Sequence, residues 1–407
     1  MLKELKREMY LEKIRPFYHM DLIKAVTGVR RCGKSVLLRQ IMAELEESGV
    51  EGDRIIYMNF ESMEHAGVKT AEDLYAAINP KLSREPVMYL FFDEIQQVRD
   101  FERAINSFRS EWGCSIFITG SNGRLLSGEL ATLLTGRFVE FRAMPFTYRE
   151  VVEYKGLNGI PLSERELEEY VRRGGSPVRL QLPSEESARA VAQDLYGSII
   201  AKDILTRFKV PDADLMNRIL DFLIDNSGDL FSSNSVKKHM ASEGRPASPE
   251  KVMNYVGYAV ASMIVSKVRR YDLSGKRFLK TLEKYYVADT GMMFARREGQ
   301  AIDWGSCIET VVHNELAARG YGVSIGATGT GEIDFIAVKK GRSDPIYIQA
   351  CYLLSDERVV EREFGPLLGL RDNHPKYVIS MDRVDMSRDG VRHLRLVEDF
   401  LMSDEDL

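Results

Sequence analysis

The chain has 407 residues, of which 44% are hydrophobic and 29% charged, with a formal net charge of −5. That length allows two or three domains, and the composition is that of an ordinary globular protein. The negative balance excludes a protein that coats nucleic acid over its whole surface and leaves only a local basic patch. No apolar run approaches a membrane span, and residues 1–8 are charged with no signal-peptide core. The four cysteines (32, 114, 307 and 351) are far apart and lack metal-ligand spacing, so the expected location is a reducing cytoplasm.

In chain order, Leu22–Thr27 reads as a short buried strand and Val36–Leu45 as a helix with apolar residues at helical spacing. Between them Gly28-Val29-Arg30-Arg31-Cys32-Gly33-Lys34-Ser35 fits G-x-x-x-x-G-K-[ST], the phosphate-binding P-loop. Strand, glycine turn and helix are what the chemistry needs: backbone N–H groups of the turn and the helix N-terminus surround the β-phosphate. Lys34 adds a point charge near the β- and γ-phosphates, and the Ser35 hydroxyl can ligate Mg²⁺. The apolar run Val87–Phe92 then ends in Asp93-Glu94. An Asp at such a strand end holds Mg²⁺ through water, and the Glu after it is placed to polarise the attacking water. A third buried strand, Ser115–Thr119, ends in Gly120-Ser121-Asn122. Ser121 or Asn122 could reach the γ-phosphate or the lytic water, or could equally cap the next helix. Leu130–Leu134 reads as helix, and Thr135-Gly136-Arg137 leads into the strand Phe138–Arg142.

These segments resemble AAA-type P-loop ATPases. The whole chain is similar to the prokaryotic ATP-binding proteins that join such an ATPase to a C-terminal domain of unknown function with a restriction-endonuclease-like fold. The later matching segments are Met144–Glu150, Arg173-Gly174-Gly175-Ser176-Pro177, Lys284–Asp289 and Glu332–Phe335. The resemblance implies an enzyme that binds ATP and Mg²⁺ and hydrolyses ATP. It also implies that Arg137, placed just before the fifth strand, acts on a neighbouring subunit's nucleotide in a homo-oligomer. A structural Arg capping the preceding helix is the other reading of that position.

The rest of the chain completes an expected α/β architecture of three parts: residues 1–155 an AAA-type parallel-sheet ATPase, 156–290 a helical linker and winged helix, and 300–407 a restriction-endonuclease-like domain. Alternating strands and helices favour a parallel sheet in the first. Helices over Leu215–Asp225, Ser232–Met240 and Pro249–Val265, then strands Ser266–Tyr271 and Leu282–Val287 joined as a hairpin, make a winged helix. From Ser266 to Lys284 that hairpin carries seven basic residues (Lys267, Arg269, Arg270, Lys276, Arg277, Lys280 and Lys284) against Asp272 and Glu283. Such a wing suits phosphate contacts on DNA, or an unknown protein partner. Lys251 and Asn254 are the base-reading candidates on the third helix. In the last part, active endonucleases of this fold use an Asp on the second strand and Glu-x-Lys on the third. Asp334 matches, but Gln349-Ala350-Cys351 stands where Glu-x-Lys belongs. Hard Mg²⁺ prefers carboxylates, so a degenerate, binding-only domain is expected, with Glu309 and Glu332 the residues that could rebuild a metal site.

Overall fold

The computed structural model describes residues 2–120, 137–242, 244, 246–279, 282–295, 303–329 and 331–407. The chain forms two compact units. The first comprises residues 1–143 and 261–263, and the second residues 144–260 and 264–407.

The first unit is built on five parallel strands: β1 (Ile23–Thr27), β2 (Ile55–Asn59), β3 (Tyr89–Asp93), β4 (Ser115–Gly120) and β5 (Phe138–Arg142). Their order is β2-β3-β4-β1-β5. Every residue of β1, β3 and β4 is buried, as expected for parallel strands covered on both faces. Helices Ala71–Ile78 and Phe101–Trp112 lay Leu74, Ile78, Ile105 and Phe108 against Leu90 and Phe92 of the sheet. The first of them starts at a reciprocal cap between Thr70 and Asp73. The sheet register fixes the site: Val26 lies opposite Thr119, Thr27 opposite Gly120, and Phe92 opposite Ile118. The carboxyl ends of β1, β3 and β4 are therefore neighbours, the place where open α/β sheets bind ligands.

The second unit begins with helices Tyr148–Leu157, Glu166–Arg173 and Glu185–Ser198, the last continuing as a π-helical stretch to Thr206. Helices Ala213–Asp225, Ser233–Ser242 and Pro249–Ala261 follow. β6 (Val265–Val268) pairs antiparallel with β9 (Lys284–Val287). The expected hairpin therefore forms at its base, but its first strand breaks at Arg269. The tip, β7 (Arg270–Asp272) and β8 (Arg277–Phe278), joins a different sheet, with β7 running parallel to β10 (Tyr321–Ala327). That seven-stranded sheet has the order β14-β13-β12-β11-β10-β7-β8, where β11 is Glu332–Lys339, β12 Ile346–Ala350, β13 Lys376–Ser380 and β14 Arg392–Arg395. Helix Trp304–Arg319 precedes β10, and helix Glu357–Leu368 lies between β12 and β13. Phe364 and Leu367 of the latter pack on Ile333, Tyr347 and Val378.

Candidate active site at the phosphate loop

The loop after β1 turns on Gly28, whose φ of +152° and surroundings admit no side chain: a Cβ there would lie 2.3 Å from the Ala143 carbonyl oxygen. Gly33, at φ +99°, caps the helix Lys34–Glu47. Val29, Cys32 and Lys34 are buried, Arg31 is exposed, and Arg30 reaches Glu61 at 3.2 Å. The Lys34 ammonium donates to the carbonyls of Gly28 (3.2 Å) and Val29 (3.4 Å) and lies 3.4 Å from Glu94 Oε1.

The end of β3 supplies the acidic side. Asp93 is fully buried, and each of its carboxylate oxygens accepts one hydrogen bond, from Thr119 Oγ1 (2.5 Å) and from Tyr57 Oη (2.9 Å). The Thr119 hydroxyl in turn accepts from the Glu94 backbone N–H at 2.9 Å. One hydroxyl thus fixes both acidic residues in position. Glu94 sits at φ +55°, a left-handed conformation that a non-glycine residue adopts at a cost of order 1–3 kcal/mol. Its Oε2 accepts from Gln96 Nε2 at 2.5 Å. Burial works against ionised Glu94, but Lys34 and Gln96 outweigh it and hold the carboxyl below its ordinary range. Burial likewise opposes the charge on Lys34, and Cys32, Glu94 and Asp93 outweigh it to raise that pKa. At neutral pH the pair is a lysine cation and a carboxylate.

Two residues of this site carry no sequence signal of their role. Thr119 is an inner residue of a strand whose polar end, Ser121-Asn122, offers the more obvious candidates. Arg7 carried no motif at all. It is 1% exposed and donates from Nη1 to the Cys32 carbonyl at 2.9 Å, while its backbone N–H donates to Gln40 Oε1. Ser35 follows Lys34 at the helix start and is half-buried. Arg137 is exposed just before β5, its carbonyl accepting from the Ile23 N–H at 3.0 Å. Ser121 and Asn122 lie outside the described residues.

A second polar cluster lies in the other unit. Lys284 of β9 is 4% exposed, and its Nζ lies 2.8 Å from Glu309, 2.8 Å from Glu332 and 3.7 Å from Asp334. Tyr286 Oη also donates to Glu309, at 2.7 Å. Asp334 Oδ2 accepts from the Ala350 N–H, and Gln349 Oε1 accepts from the Asp334 N–H while its Nε2 reaches Glu363. β12 itself carries no cation, and Lys284 of β9, one of the basic wing residues, brings one to within 3.7 Å of Asp334. Burial pushes Glu309 and Asp334 upward, and Lys284 opposes the shift. Among the described residues no group of three or more His, Cys, Asp or Glu is arranged to hold a metal ion. Cys351 is buried and its thiol is pushed up by burial.

The other basic wing residues are dispersed. Lys267 pairs with Glu283 at 2.6 Å, Arg270 approaches Glu332 at 3.7 Å and Arg277 approaches Asp272 at 3.8 Å. Arg269 stacks over Phe278, Lys276 is exposed, and Lys280 lies outside the described residues. Lys251 is paired with Asp212 at 3.0 Å. Among the described residues no helix is long and apolar enough to cross a membrane.

Comparison with known proteins agrees with the first unit. Residues 21–152 match the AAA domain family, and residues 164–300 match a domain of unknown function. A Walker-type ATPase of Pyrococcus abyssi has a similar structure, with a TM-score of 0.51 at 18% identity over 71% of this chain and 94% of that one. An uncharacterized protein of Methanocaldococcus jannaschii is 25% identical over 350 residues, 82% of this chain and 75% of its own length. An uncharacterized protein of Haemophilus influenzae is 33% identical over 397 residues, 97% of this chain and 98% of its own length. With a parallel P-loop NTPase sheet and an AAA domain in its first unit, the chain belongs to the family of that H. influenzae protein.

Proposed function

We propose that the chain is a Mg²⁺-dependent ATPase whose nucleotide cycle drives or gates a conformational change of its C-terminal interaction domains. The observation that carries this reading is the Thr119 hydroxyl, which ties Asp93 and Glu94 together while Glu94 lies 3.4 Å from Lys34. The residues from Gly28 to Ser35 bind the phosphates, and Lys34 neutralises them as it neutralises Glu94 now. The donors fit Mg²⁺, which takes hard oxygens: Ser35 offers a hydroxyl, and among the described residues each Asp93 oxygen accepts one hydrogen bond and keeps lone pairs to spare. Bound there, Mg²⁺ would offset charge on the β- and γ-phosphates. Glu94 accepts the proton of the attacking water. Arg137 reaches the nucleotide of a neighbouring copy, and Ser121 or Asn122 senses the γ-phosphate. The test is ATP hydrolysis by the wild type, Lys34→Ala and Glu94→Gln, with and without duplex and single-stranded DNA. Unchanged turnover in Glu94→Gln would sink the assignment.

The three helices followed by β6 and β9 support a winged helix within residues 156–290, with DNA or a protein as its partner through Lys267, Arg269, Arg270, Lys276 and Arg277. Helix Trp304–Arg319, β10, β11, β12, helix Glu357–Leu368 and β13 support a restriction-endonuclease-like core within residues 300–407. Lys284 beside Asp334 favours a second reading, an ATP-gated nuclease, because it returns the cation that β12 lacks. Against it, that ammonium is already shared by three carboxylates and Asp334 Oδ2 is held by the Ala350 N–H. Binding without cleavage is therefore the reading we adopt, in a cytoplasmic protein. Plasmid nicking with Mg²⁺ or Mn²⁺ that disappears in Asp334→Ala would overturn it.

A further inference from the structure

We propose that the second unit contains an anion site, separate from the phosphate loop, that takes a small phosphate-bearing ligand. It is a cavity of about 210 Å³ whose walls include Arg172, Arg173, Arg179 and Arg189 together with Gly291 and Phe294. That volume is below the roughly 300–1,000 Å³ of drug-sized pockets and suits a single charged group. The decisive side chain is Arg179. It is 1% exposed; its Nη2 donates to Asp289, and among the described residues its Nε and Nη1 have no hydrogen-bond partner. A buried guanidinium with two idle donors costs free energy unless an acceptor completes it. Both idle donors lie behind the cavity wall, so an anion held there completes them once the Arg179 fork turns towards it.

The chain is shaped around this arginine. Gly174 and Gly291 pack so closely that a Cβ on the first would lie 1.6 Å from Asp289 Oδ1, and on the second 2.1 Å from Arg179 Nη1. Gly174 and Asp289 belong to two sequence segments, Arg173–Pro177 and Lys284–Asp289, that the ATPase chemistry leaves unused. Arg172 and Arg173 are oriented by partners that occupy only part of each guanidinium. Arg172 bonds Glu168 at 3.1 Å, lies 3.6 Å from Glu185 and packs over the Phe294 ring. Arg173 bonds Glu169 and the Leu182 carbonyl, each at 3.1 Å. Arginines on three helices lining one cavity suit a tetrahedral oxyanion, which accepts in several directions, better than a planar carboxylate, which is matched by one fork.

The test uses the full chain carrying Lys34→Ala, so that the phosphate loop does not compete, and titrates inorganic phosphate calorimetrically against succinate. One phosphate site is expected, with succinate weaker. Arg172→Gln and Arg189→Gln, made together at wall positions away from the buried Arg179–Asp289 pair, should weaken phosphate roughly 10- to 100-fold for each charge-assisted bond removed. Circular dichroism and unchanged ATP hydrolysis of the same double variant with Lys34 intact show that the fold is kept. Three results overturn the proposal: no phosphate binding in the Lys34→Ala chain, equal affinity in the double variant, or succinate binding as tightly as phosphate.

Discussion

Replacing Lys284 by Met tests how the second unit holds its acidic cluster. The substitution keeps the stem and removes one ammonium from among Glu309, Glu332 and Asp334, whose side chains are 16%, 25% and 14% exposed. Removing one partner of a buried charge cluster costs about 3–5 kcal/mol because the remaining charges stay uncompensated. The carboxylates can escape by taking up protons, which sets a ceiling. For Glu309, with an ordinary value of 4.5, protonation costs about 5 kcal/mol at pH 8 and under about 1 kcal/mol at pH 5. The sign follows from the shifts. Burial raises Glu309 to about 7 and Asp334 to about 6, so the folded chain binds more protons than the unfolded one. Their contribution is complete below the ordinary carboxylate range and is lost as pH rises through those values. Lys284→Met should therefore be about 3–5 kcal/mol less stable than wild type near pH 8 and recover most of that by pH 5. Urea denaturation of both chains at the two pH values measures the difference, in which all other titrating groups cancel. A variant as stable as wild type at pH 8, or a loss equal at both pH values, would refute the reasoning.

At the phosphate loop, Lys34→Ala should abolish tight ATP binding in an equilibrium titration, while Glu94→Gln should keep binding and lose about 10²- to 10⁴-fold in turnover. Thr119→Val should lower turnover more than ATP affinity, because it releases Asp93 and Glu94 together; equal effects on both would assign Thr119 to ground-state binding. Arg137→Ala should reduce hydrolysis by on the order of 10³-fold, and mixing it with Glu94→Gln should restore some activity; concentration-independent turnover by a monomer would remove the trans role. Replacing Arg269, Arg270 and Lys276 together should lower the log–log salt slope of DNA binding by about one unit for each phosphate that is no longer neutralised, read from titrations over a range of salt.

What the sequence made legible followed from short-range rules. The P-loop needs a strand, a glycine turn and a helix in consecutive residues, and β1, Gly28–Gly33 and Lys34–Glu47 supply them. Asp93-Glu94 could be read because a buried run of strand length ends there. Thr119 gained its role only from register, since β3 and β4 must pair before its hydroxyl meets both acidic residues. Arg7 was hidden because what it binds, the Cys32 carbonyl, is backbone and leaves no side-chain pattern. Lys24 shows the same limit: it sits at 0% exposure within β1, its ammonium donating to Ser115 Oγ (2.8 Å) and the Met20 carbonyl (3.1 Å). The placement of the wing cations is hidden for a related reason: the first strand breaks at Arg269, Lys284 lies on a strand buried at all four residues beside Glu309, and Arg270 approaches Glu332.

Lys34 and Lys284 solve one electrostatic problem in two ways, and the difference bears on which unit does chemistry. Both are buried cations held by carboxylates, and both owe their raised pKa to those partners winning against burial. Among the described residues Lys34 has one close carboxylate, Glu94, at 3.4 Å, and otherwise bonds two loop carbonyls at 3.2 and 3.4 Å. Those distances are long, and a phosphate offers the same ammonium charge-assisted bonds of about 2.7–2.9 Å. The exchange would also free Glu94 for water. Lys284 instead has two carboxylates at 2.8 Å, a third at 3.7 Å, and a Tyr286 hydroxyl bound to one of them. Extracting it for catalysis would strand three acids, at the cost that Lys284→Met is designed to measure. A lysine poised to change partners belongs to a working site, whereas one shared at short range among three acids belongs to the framework, and this contrast is why we place turnover in the first unit and binding in the second.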